Sequence, residues 1–192
     1  MDHNLQIILN AVERDASRSR PYVIAIDGRC GAGKTTLATT LAEHLHAALF
    51  HMDDFFLQPE QRTSERLSTP GENVDHERFL QEVLLPVKEG GTVTYSPYSC
   101  ATQTLTAPVS VEVGDFVVVE GSYALHQNLR DRYDLTVYLT ISPEEQEKRI
   151  KCRDGEEIWP MFRDRWIPME EAYRKSCNVC ACADLLLTAG EV

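Results

Sequence analysis

The sequence predicts an α/β fold of three layers, in which a mainly five-stranded parallel sheet is covered by helices on both faces. Apolar runs of strand length recur along the chain without the alternation of a half-exposed strand, which is typical of strands buried on both faces of a parallel sheet. Segments with the apolar spacing of amphipathic helices separate these runs, and such alternation predicts consecutive strand–helix–strand units. The chain has 192 residues and a hydrophobic content of 43%, which suits one domain over residues 1–192 with a well-covered core.

The first part of the chain alternates helices and strands. Apolar residues at i, i+3, i+4 and i+7 predict an amphipathic helix over 3–16, and the apolar run YVIAIDG predicts a buried strand over 22–28. A helix over 33–47 and a strand over 48–56 are predicted next. The polar segment 59–73 contains Pro and Gly and is predicted to be a loop. A second amphipathic helix follows, and its predicted buried face consists of Phe79, Leu80, Val83, Leu84 and Val87.

The remaining predicted strands fall into two groups. TVTYSPYS and TLTAPVSVEV, at 92–99 and 104–113, suggest short extended pieces in a hairpin-like excursion. The apolar runs DFVVVEGS and LTVYLTIS predict buried strands over 115–122 and 135–142. The segment ADLLLTA predicts a last strand over 183–189, which completes the five strands of the sheet.

Two helices are predicted between the last two strands. Ser142 and Glu145 have the spacing of a capping box, with Pro143 at the first helical position. The helix that they begin is expected to run through about Cys152. A charged, aromatic-rich helix is predicted from there onward, over about 156–176.

The charge balance and the N-terminus exclude several classes of protein. Thirty acidic against nineteen basic side chains give a net charge of −11, which argues against nucleic acid as a partner because phosphate backbones are bound by an excess of Lys and Arg. No apolar run reaches the roughly 18–20 residues that span a bilayer. The N-terminal segment is acidic and amphipathic, unlike a signal peptide, so a cytoplasmic protein is expected. The oligomeric state stays open, with a homo-oligomer as one option.

Six cysteines are present, three of them in the segment CNVCAC at 177–182. In a cytosolic protein they are expected to be reduced thiols. The cluster invites a zinc interpretation, but no second CxxC or HxxxH ligand pair accompanies it. Small side chains near a helix end are the simpler interpretation.

The segment from Gly28 to Thr35 satisfies the phosphate-loop pattern GxxxxGK[ST] at every position. An apolar strand precedes it and an amphipathic helix follows, which is the context that the pattern requires. The glycines allow backbone N–H groups to surround phosphate oxygens at a helix N-terminus. Lys34 is expected to reach the β- and γ-phosphates and the Thr35 hydroxyl to bind Mg²⁺. The sequence therefore predicts a P-loop NTPase fold that binds ATP and Mg²⁺, and the expected nucleotide-binding residues are Gly28, Gly31, Ala32, Gly33, Lys34, Thr35 and Thr36.

Two further acidic positions suggest what kind of P-loop protein this is. No Asn-Lys pair occurs, so the guanine-reading motif of GTPases is missing, and the chain is too short for a large motor ATPase. Asp53 and Asp54 lie at the polar outer end of the predicted strand over 48–56, where one of them could accept the proton of a substrate hydroxyl, with Phe55 and Phe56 as walls of the acceptor pocket. A polar turn is the alternative interpretation of this pair. Glu120 ends another predicted strand, at the position of an acid that holds Mg²⁺.

Four ordered motifs, GRCGAGKTT, HMDDFF, VVVEGS and KRIKCRD, resemble the uridine kinase/phosphoribulokinase-like group of P-loop kinases over about residues 22–189. HMDDFF is especially similar to the version in nicotinamide riboside kinase. The resemblance implies an ATP- and Mg²⁺-dependent kinase that phosphorylates an alcohol, with the 5′-hydroxyl of a nucleoside as the leading acceptor. It also implies that Asp53 is the general base, whereas Asp54 stands where the family often has Ser. A kinase of another small alcohol (nicotinamide riboside, pantothenate or a sugar) and a non-catalytic nucleotide-binding regulator are the alternatives.

The same resemblance implies residues for the acceptor and for a short helical lid. In NVDHERF, Asp75 is a candidate for binding ribose hydroxyls, although a plain helix N-cap is an equal alternative. Tyr95 and Tyr98 are candidates for the acceptor pocket. A lid over about 149–170 is expected to bring Arg149 and Arg153 over the triphosphate, with Arg153 as a stabiliser of the phosphoryl charge. Arg163 and Arg165 could also contribute to this lid, although a charged, solvent-exposed helix face explains them equally well.

Two departures from the uridine kinases put uridine itself in doubt as the acceptor. The longer, Gly- and Arg-containing lid of those enzymes is replaced here by GEEIWPMFRDRW. The His expected in the pyrimidine-contacting segment is absent from YSPYSCATQT. The acceptor therefore stays open at this point.

Overall fold

The computed structural model describes residues 3–15 and 20–190. The strands within these ranges are β1 (Tyr22–Gly28), β2 (Ala48–His51), β3 (Gly91–Tyr95), β4 (Tyr98–Ser99), β5 (Thr104–Leu105), β6 (Val109–Val113), β7 (Phe116–Glu120), β8 (Leu135–Thr140) and β9 (Leu185–Thr188). The α-helices are α1 (His3–Arg14), α2 (Lys34–Leu45), α3 (Ser64–Ser68), α4 (His76–Phe79), α5 (Leu85–Glu89), α6 (Pro143–Asp154), α7 (Trp159–Met161), α8 (Ile167–Ser176) and α9 (Val179–Cys182). None of the helices in the described part of the chain has the length and apolarity needed to cross a membrane.

A five-stranded sheet in the order β2-β7-β1-β8-β9 lies at the centre of the fold, and every pair of neighbours is parallel. This confirms the predicted sheet. The chain leaves β1 for β2 and β7 on one side and later returns to β8 on the other. The end of β1 is therefore the topological switch point, where ligands bind in open α/β sheets. In the register of the sheet Ile26 pairs with Glu120, so the end of β7 lies beside the loop that follows β1.

Alternate side chains of β1 enter two separate cores, one on each face of the sheet. Val23 and Ala25 pack in a core that also contains buried side chains of α4, α5 and α8. Ile24 and Ile26 pack in the other core, with buried side chains of α1 and α2. Because side chains alternate across a strand, a fully apolar strand needs a helical layer on each face. The three-layer architecture follows from this requirement.

The predicted strand over 48–56 is wrong beyond His51. β2 ends there, and Met52–Phe55 forms a 3₁₀ turn. The apolar ends of this turn, Met52 and Phe55, are both fully buried. Asp is a poor strand former, and the turn directs the two carboxylates between these anchors out of the core. The polar pair thus forms the middle of a turn that follows the edge strand β2.

Several other predicted boundaries shift. The predicted loop 59–73 contains a 3₁₀ turn, Pro59–Gln61, and the short helix α3. Thr63 begins α3 as its N-cap, because its hydroxyl accepts from the Arg66 N–H. The helix predicted over 156–176 starts three residues later, at Trp159, after Gly155 ends α6 with φ 94°. It also contains a π-helical turn, Phe162–Trp166.

The predicted capping box at the start of α6 forms only in part. The Ser142 hydroxyl accepts from the Glu145 N–H at 3.2 Å, and Pro143 is the first helical residue, as expected. The Glu145 side chain instead accepts from Arg149 at 2.9 Å, one turn further along the helix. An ion pair along the helix has replaced the second half of the box.

The predicted hairpin-like excursion is present. β3 pairs with β6 in antiparallel register, and the segment between them carries the smaller antiparallel pair β4 and β5. The helix predicted around Phe79 and Val87 consists of α4, a π-helical turn (Leu80–Leu84) and α5 in direct succession. We refer to this as the helical run 76–89.

A buried carboxylate, Asp27, organises the sheet end. It is 1% exposed and accepts four hydrogen bonds, from the backbone N–H groups of Gly28, Tyr123 and Leu125 and from the Tyr173 hydroxyl. These donors belong to the end of β1, the loop after β7 and α8. Burial raises the pKa of Asp27 to about 6, against the opposing effect of its donors and of Lys34. One side chain thus holds three segments together at the switch point.

The raised pKa of Asp27 predicts a specific pH dependence of stability. The folded protein binds the Asp27 proton more tightly than the unfolded chain does, so this contribution to stability is complete below the ordinary pKa of 3.8 and is lost as the pH rises through about 6. In Asp27→Asn this dependence is absent. The unfolding free energy of the wild type relative to D27N should therefore fall between pH 4.5 and 7, by up to about 3 kcal/mol.

Urea denaturation of both proteins at several pH values measures this difference. Asp131→Asn, at an exposed carboxyl, controls for the pH dependence of the rest of the protein. A gap between wild type and D27N that stays constant with pH would contradict the prediction.

Candidate active site

The loop between β1 and α2 surrounds one end of a cleft with backbone N–H groups. Gly28, Gly31 and Gly33 adopt φ of 152°, 75° and 90°, which bends the loop into a cradle. In the described part of the chain, no acceptor pairs with the N–H groups of Gly31 or Gly33 or with those of the first turn of α2, residues 34–36. Free N–H groups at a helix start form an anion site. The geometry is that of a phosphate cradle.

Two of the predicted nucleotide-binding residues shape this cradle from behind. The Gly28 N–H donates to Asp27, and the Ala32 N–H donates to the Arg29 carbonyl at 3.2 Å. Neither residue lines the cleft, whereas Gly31, Gly33, Lys34, Thr35 and Thr36 all do. The seven predicted residues therefore divide into five that face the cleft and two that hold the loop in shape.

Lys34 is held at the cradle by the loop itself. Its Nζ donates to the carbonyls of Gly28 at 2.8 Å and Arg29 at 3.1 Å, and to the Ser122 hydroxyl at 3.3 Å. The residue is 8% exposed. The ammonium group is thus placed beside the free N–H groups, where its positive charge faces any anion in the cradle.

Glu120 and Thr35 meet at the adjoining strand end. The Thr35 hydroxyl lies 3.3 Å from both carboxylate oxygens of Glu120, which is 4% exposed. The imidazole of His51, the residue paired with Glu120 in the sheet, approaches the same carboxylate at 2.6 Å. The hydrogen bond to Glu120 raises the pKa of His51. A hydroxyl and a carboxylate are oxygen donors of the type that Mg²⁺ prefers, so these two predicted metal residues fit the ion.

Asp53 faces the same cleft from the turn after β2. Among the described residues its carboxylate has no hydrogen-bond or ion-pair partner, although it lines the cleft with Lys34 and Glu120. Asp53 is exposed to the cleft, and partial desolvation by the surrounding protein, together with the charge of Glu120, raises the pKa of its carboxyl. An unpartnered carboxylate with a raised pKa is suited to accept a proton.

The cleft has a volume of about 1090 Å³. Sites for one small ligand commonly measure roughly 300–1,000 Å³, so this cleft has room for a nucleotide and a second small molecule. It contains the predicted base, the predicted Mg²⁺ residues and two predicted lid arginines, Arg149 and Arg153. The structure thus brings together the phosphate half of the predicted site.

On the acceptor side the prediction and the structure differ. Three aromatic residues that were predicted to line the acceptor pocket lie behind the cleft wall. Phe55 is fully buried and contacts the rings of Phe79 and Tyr95, whereas Phe56 lines the cleft in its place. The Tyr95 hydroxyl donates to Asp54 at 2.9 Å. Tyr98 is 5% exposed, and its hydroxyl accepts from Arg62. These side chains support the wall and do not face the cleft.

Asp75 is also outside the cleft lining. Its carboxylate accepts from the Arg78 N–H at 3.0 Å as the N-cap of α4 and from the Gln61 amide at 2.8 Å. The residue is 4% exposed. Of the two interpretations of Asp75, the geometry matches the helix cap.

The arginines of the predicted lid differ in their partners. Arg149 donates to Glu145 and to the Gly190 carbonyl, and Arg153 donates to its neighbour Asp154. Arg165 lines the cleft without an ion pair to any described residue. Arg165 is therefore a cation available to a ligand without first breaking an ion pair.

The sequence did not single out several residues that line the cleft. Ser122 follows Glu120 by two positions and could have been found by its place after a strand end. Arg62, Asn73 and Tyr123 line the cleft from loops, and no periodic pattern marks them. Glu170, from α8, reaches the loop across about 140 positions of the sequence and has no local signal.

A second group of polar side chains lies outside this cleft. Glu72 approaches the Nε2 atoms of His76 at 3.1 Å and of His126 at 3.5 Å, and the two imidazole rings stack at 4.0 Å. Burial lowers the pKa of His126 to about 4, so this side chain is neutral at pH 7. Its Nδ1 accepts from the Asn128 N–H, which leaves the proton on Nε2. The ligand atoms of these three side chains lie within 4.8 Å of one another, and the buried His126 Nε2 has no hydrogen-bond partner among the described residues.

The parallel sheet, the phosphate loop after its first strand and the acid at the end of the adjacent strand define a P-loop NTPase fold. A family model described as the phosphoribulokinase/uridine kinase family matches residues 23–157. The chain belongs to this family of P-loop kinases, as its motifs predicted.

Individual relatives agree with this assignment. The chain is 29% identical over 152 residues to a uridine kinase of Anoxybacillus flavithermus, covering 73% of this chain and 70% of that one. It is 30% identical over 149 residues to a uridine kinase of Geobacillus kaustophilus, covering 72% and 69%. In fold it resembles the structure of a possible uridine kinase from Bacillus stearothermophilus, with a TM-score of 0.71, 22% identity and coverage of 96% of this chain and 97% of that one.

The close approach of Gly28 to β8 predicts that the cradle cannot accept a side chain at its first position. A Cβ on Gly28 would lie 2.1 Å from the Leu139 carbonyl oxygen. Gly28→Ala is expected to lower the free energy of unfolding by about 3 kcal/mol or more, because two backbone segments must separate.

Gly114→Ala is the matched control. The nearest atom to its added Cβ is 4.0 Å away, so a loss below about 1 kcal/mol is expected. Denaturant titration of both variants measures the difference, and equal stability of the two would contradict the proposed close contact.

Proposed function

We propose that this protein is an ATP- and Mg²⁺-dependent kinase that transfers the terminal phosphoryl group to a small-molecule alcohol, with the 5′-hydroxyl of a nucleoside as the leading acceptor. One observation carries the proposal: the unpartnered Asp53 carboxylate shares a single cleft with a complete phosphate loop. A nucleotide-binding regulator needs the loop but has no need of an acid placed in this way. The names of the curated relatives support a nucleoside acceptor.

In this proposal Asp53 acts as the general base. Its carboxylate accepts the proton of the acceptor hydroxyl as the oxygen attacks the terminal phosphorus, and the bond from phosphorus to the ADP oxygen breaks. The raised pKa of Asp53 favours proton acceptance, since a stronger base takes the proton more readily. Phe56 and Leu57 line the cleft beside it and reduce the access of water to the reacting groups.

The cations neutralise charge on the phosphoryl group. Lys34 would exchange its carbonyl partners for phosphate oxygens, which it can do by moving its Nζ a short way from the loop. Thr35 and Glu120 would hold Mg²⁺, which supplies neutralising charge at the phosphates when bound. We propose that the segment 149–170 acts as the lid and that Arg153 and Arg165 share the stabilisation of the transferred group. Arg149 would assist from α6.

The acceptor is the least constrained part of the proposal. The departures in the lid and in YSPYSCATQT keep nicotinamide riboside, pantothenate and sugars as alternatives. The decisive experiment measures ADP release with a panel of nucleosides, vitamin precursors and sugars. If the protein binds ATP but releases no additional ADP with any acceptor, the result would favour the alternative of a non-catalytic nucleotide-binding regulator.

Asp53→Asn should reduce kcat by about 10²- to 10⁴-fold, because loss of a general base typically costs that much. ATP binding should be retained, since the cradle is unchanged. The matched control is Asp54→Asn, whose carboxylate accepts from Tyr95 and does not line the cleft. Steady-state kinetics of both variants with the active acceptor are the measurement. A comparable loss in D54N, or none in D53N, would show that the base is wrongly assigned.

Arg165→Met and Arg153→Met should each lower kcat/KM by about ten- to a hundredfold, because each removes a cation from the developing phosphoryl charge. Arg163→Met is the control, since Arg163 pairs with Asp164 and does not line the cleft. Steady-state kinetics of the three variants test this assignment, and thermal unfolding checks that the variants are equally stable. If R163M loses as much activity as R165M, a general loss of lid charge explains the effect.

A further inference from the structure

A carboxylate of the chain itself, Glu170, lies at the mouth of the phosphate cradle. It belongs to α8, and one of its oxygens accepts from the Cys30 N–H of the loop at 3.0 Å. The other oxygen accepts from the Ser122 hydroxyl at 2.7 Å. Glu170 also lines the cleft. An acidic side chain thus stands where an anionic ligand is expected.

The two donors that Glu170 occupies are of the type that bind phosphate. The Cys30 N–H is next along the loop to the free N–H of Gly31, and the Ser122 hydroxyl lies 3.3 Å from the Lys34 ammonium. Carboxylate and phosphoryl oxygens accept the same charge-assisted hydrogen bonds. Glu170 therefore uses donors that would otherwise be open to a bound phosphate.

The neighbouring acid, Glu171, has a different partner. It accepts from the Arg29 side chain at 2.7 Å and from Arg174 at 2.7 Å, so it is neutralised by two cations. Glu170 has no ion pair with a described residue and is held by a backbone N–H and a hydroxyl alone. Its negative charge therefore remains in the cleft.

A triphosphate and Glu170 are poorly compatible at this place. Two negative charges on the same donors repel each other, and the repulsion is stronger in a partly buried cleft than in water. If Glu170 moves away, the Cys30 N–H and the Ser122 hydroxyl are freed for phosphate oxygens, and each donor keeps an acceptor. One anion then replaces another on the same donors.

We propose that Glu170 sets the nucleotide affinity of this protein: it occupies the cradle mouth as an internal anion in the resting state and leaves when ATP binds. The inference rests on the proposed function, since it requires ATP to bind in the cradle. Departure of Glu170 frees α8 from the loop at one of its contacts, while the ion pair of Glu171 with Arg29 stays. After phosphoryl transfer, return of Glu170 to the same donors favours release of the product nucleotide.

The test measures the Kd of ATP by isothermal titration calorimetry, with the full chain in Mg²⁺-containing buffer. Glu170→Gln removes the charge at constant shape, and Kd should fall about tenfold or more. Glu170→Asp keeps the charge but shortens the reach to both donors, and Kd should fall about threefold or more. Glu171→Gln is the matched control and should not tighten ATP binding. Thermal unfolding confirms that each variant is folded.

Three results would overturn the inference. An unchanged or higher Kd in E170Q means that Glu170 supports the loop in its binding-competent shape. Tightening in E170Q with E170D equal to wild type means that charge acts without displacement of the contact. Equal tightening in E171Q means that any nearby carboxylate has this effect. Failure of wild type and all variants to bind ATP would instead contradict the proposed function itself.

Discussion

The position of β1 between β7 and β8 is the constraint on which the rest of the site depends. Its register places Ile26 beside Glu120 and Gly28 beside Leu139. The loop that follows must therefore turn within a space too small for a side chain, and glycine allows it to do so. Asp27 holds the surrounding loops by accepting four hydrogen bonds at this point. The shape of the cradle and the position of Glu120 beside it are consequences of this one junction.

Most charged side chains of the cleft already have hydrogen-bond partners before any ligand arrives. Lys34 donates to loop carbonyls, Glu120 is approached by His51, and Glu170 occupies the cradle mouth. Buried charges without partners are costly, so these contacts keep the ligand-free site stable. Ligand binding must then proceed by exchange of partners, and the affinity of the site reflects the difference between two sets of contacts. Asp53 and Arg165 are exceptions among the described residues, which makes them directly available to a substrate.

The sequence was informative wherever the chemistry is local. The phosphate loop needs residues at fixed spacing within eight positions, and the strands that carry it are continuous apolar runs, so both could be predicted. The strand before Asp53, β2, was predicted too long, because the apolar pattern continues through Phe55 and Phe56. Only the packing shows that Phe55 turns into the core while Phe56 lines the cleft. The sequence alone could not distinguish the helix-cap role of Asp75 from a ribose-binding role, because both use a carboxylate before a helix.

The sequence by itself determined the layer architecture, the kinase family and the residues of the cradle, because these depend on periodicity and on short motifs. The tertiary structure decided which side chains share the cleft. Tyr95 and Tyr98 lie behind its wall, whereas Arg165 and Glu170 reach it from the distant end of the chain. Such contacts are made between segments far apart in sequence, and their geometry depends on how helices pack on the sheet. For that reason a local pattern could identify the phosphate-loop motif, but only the folded chain could show the carboxylate that lies against it.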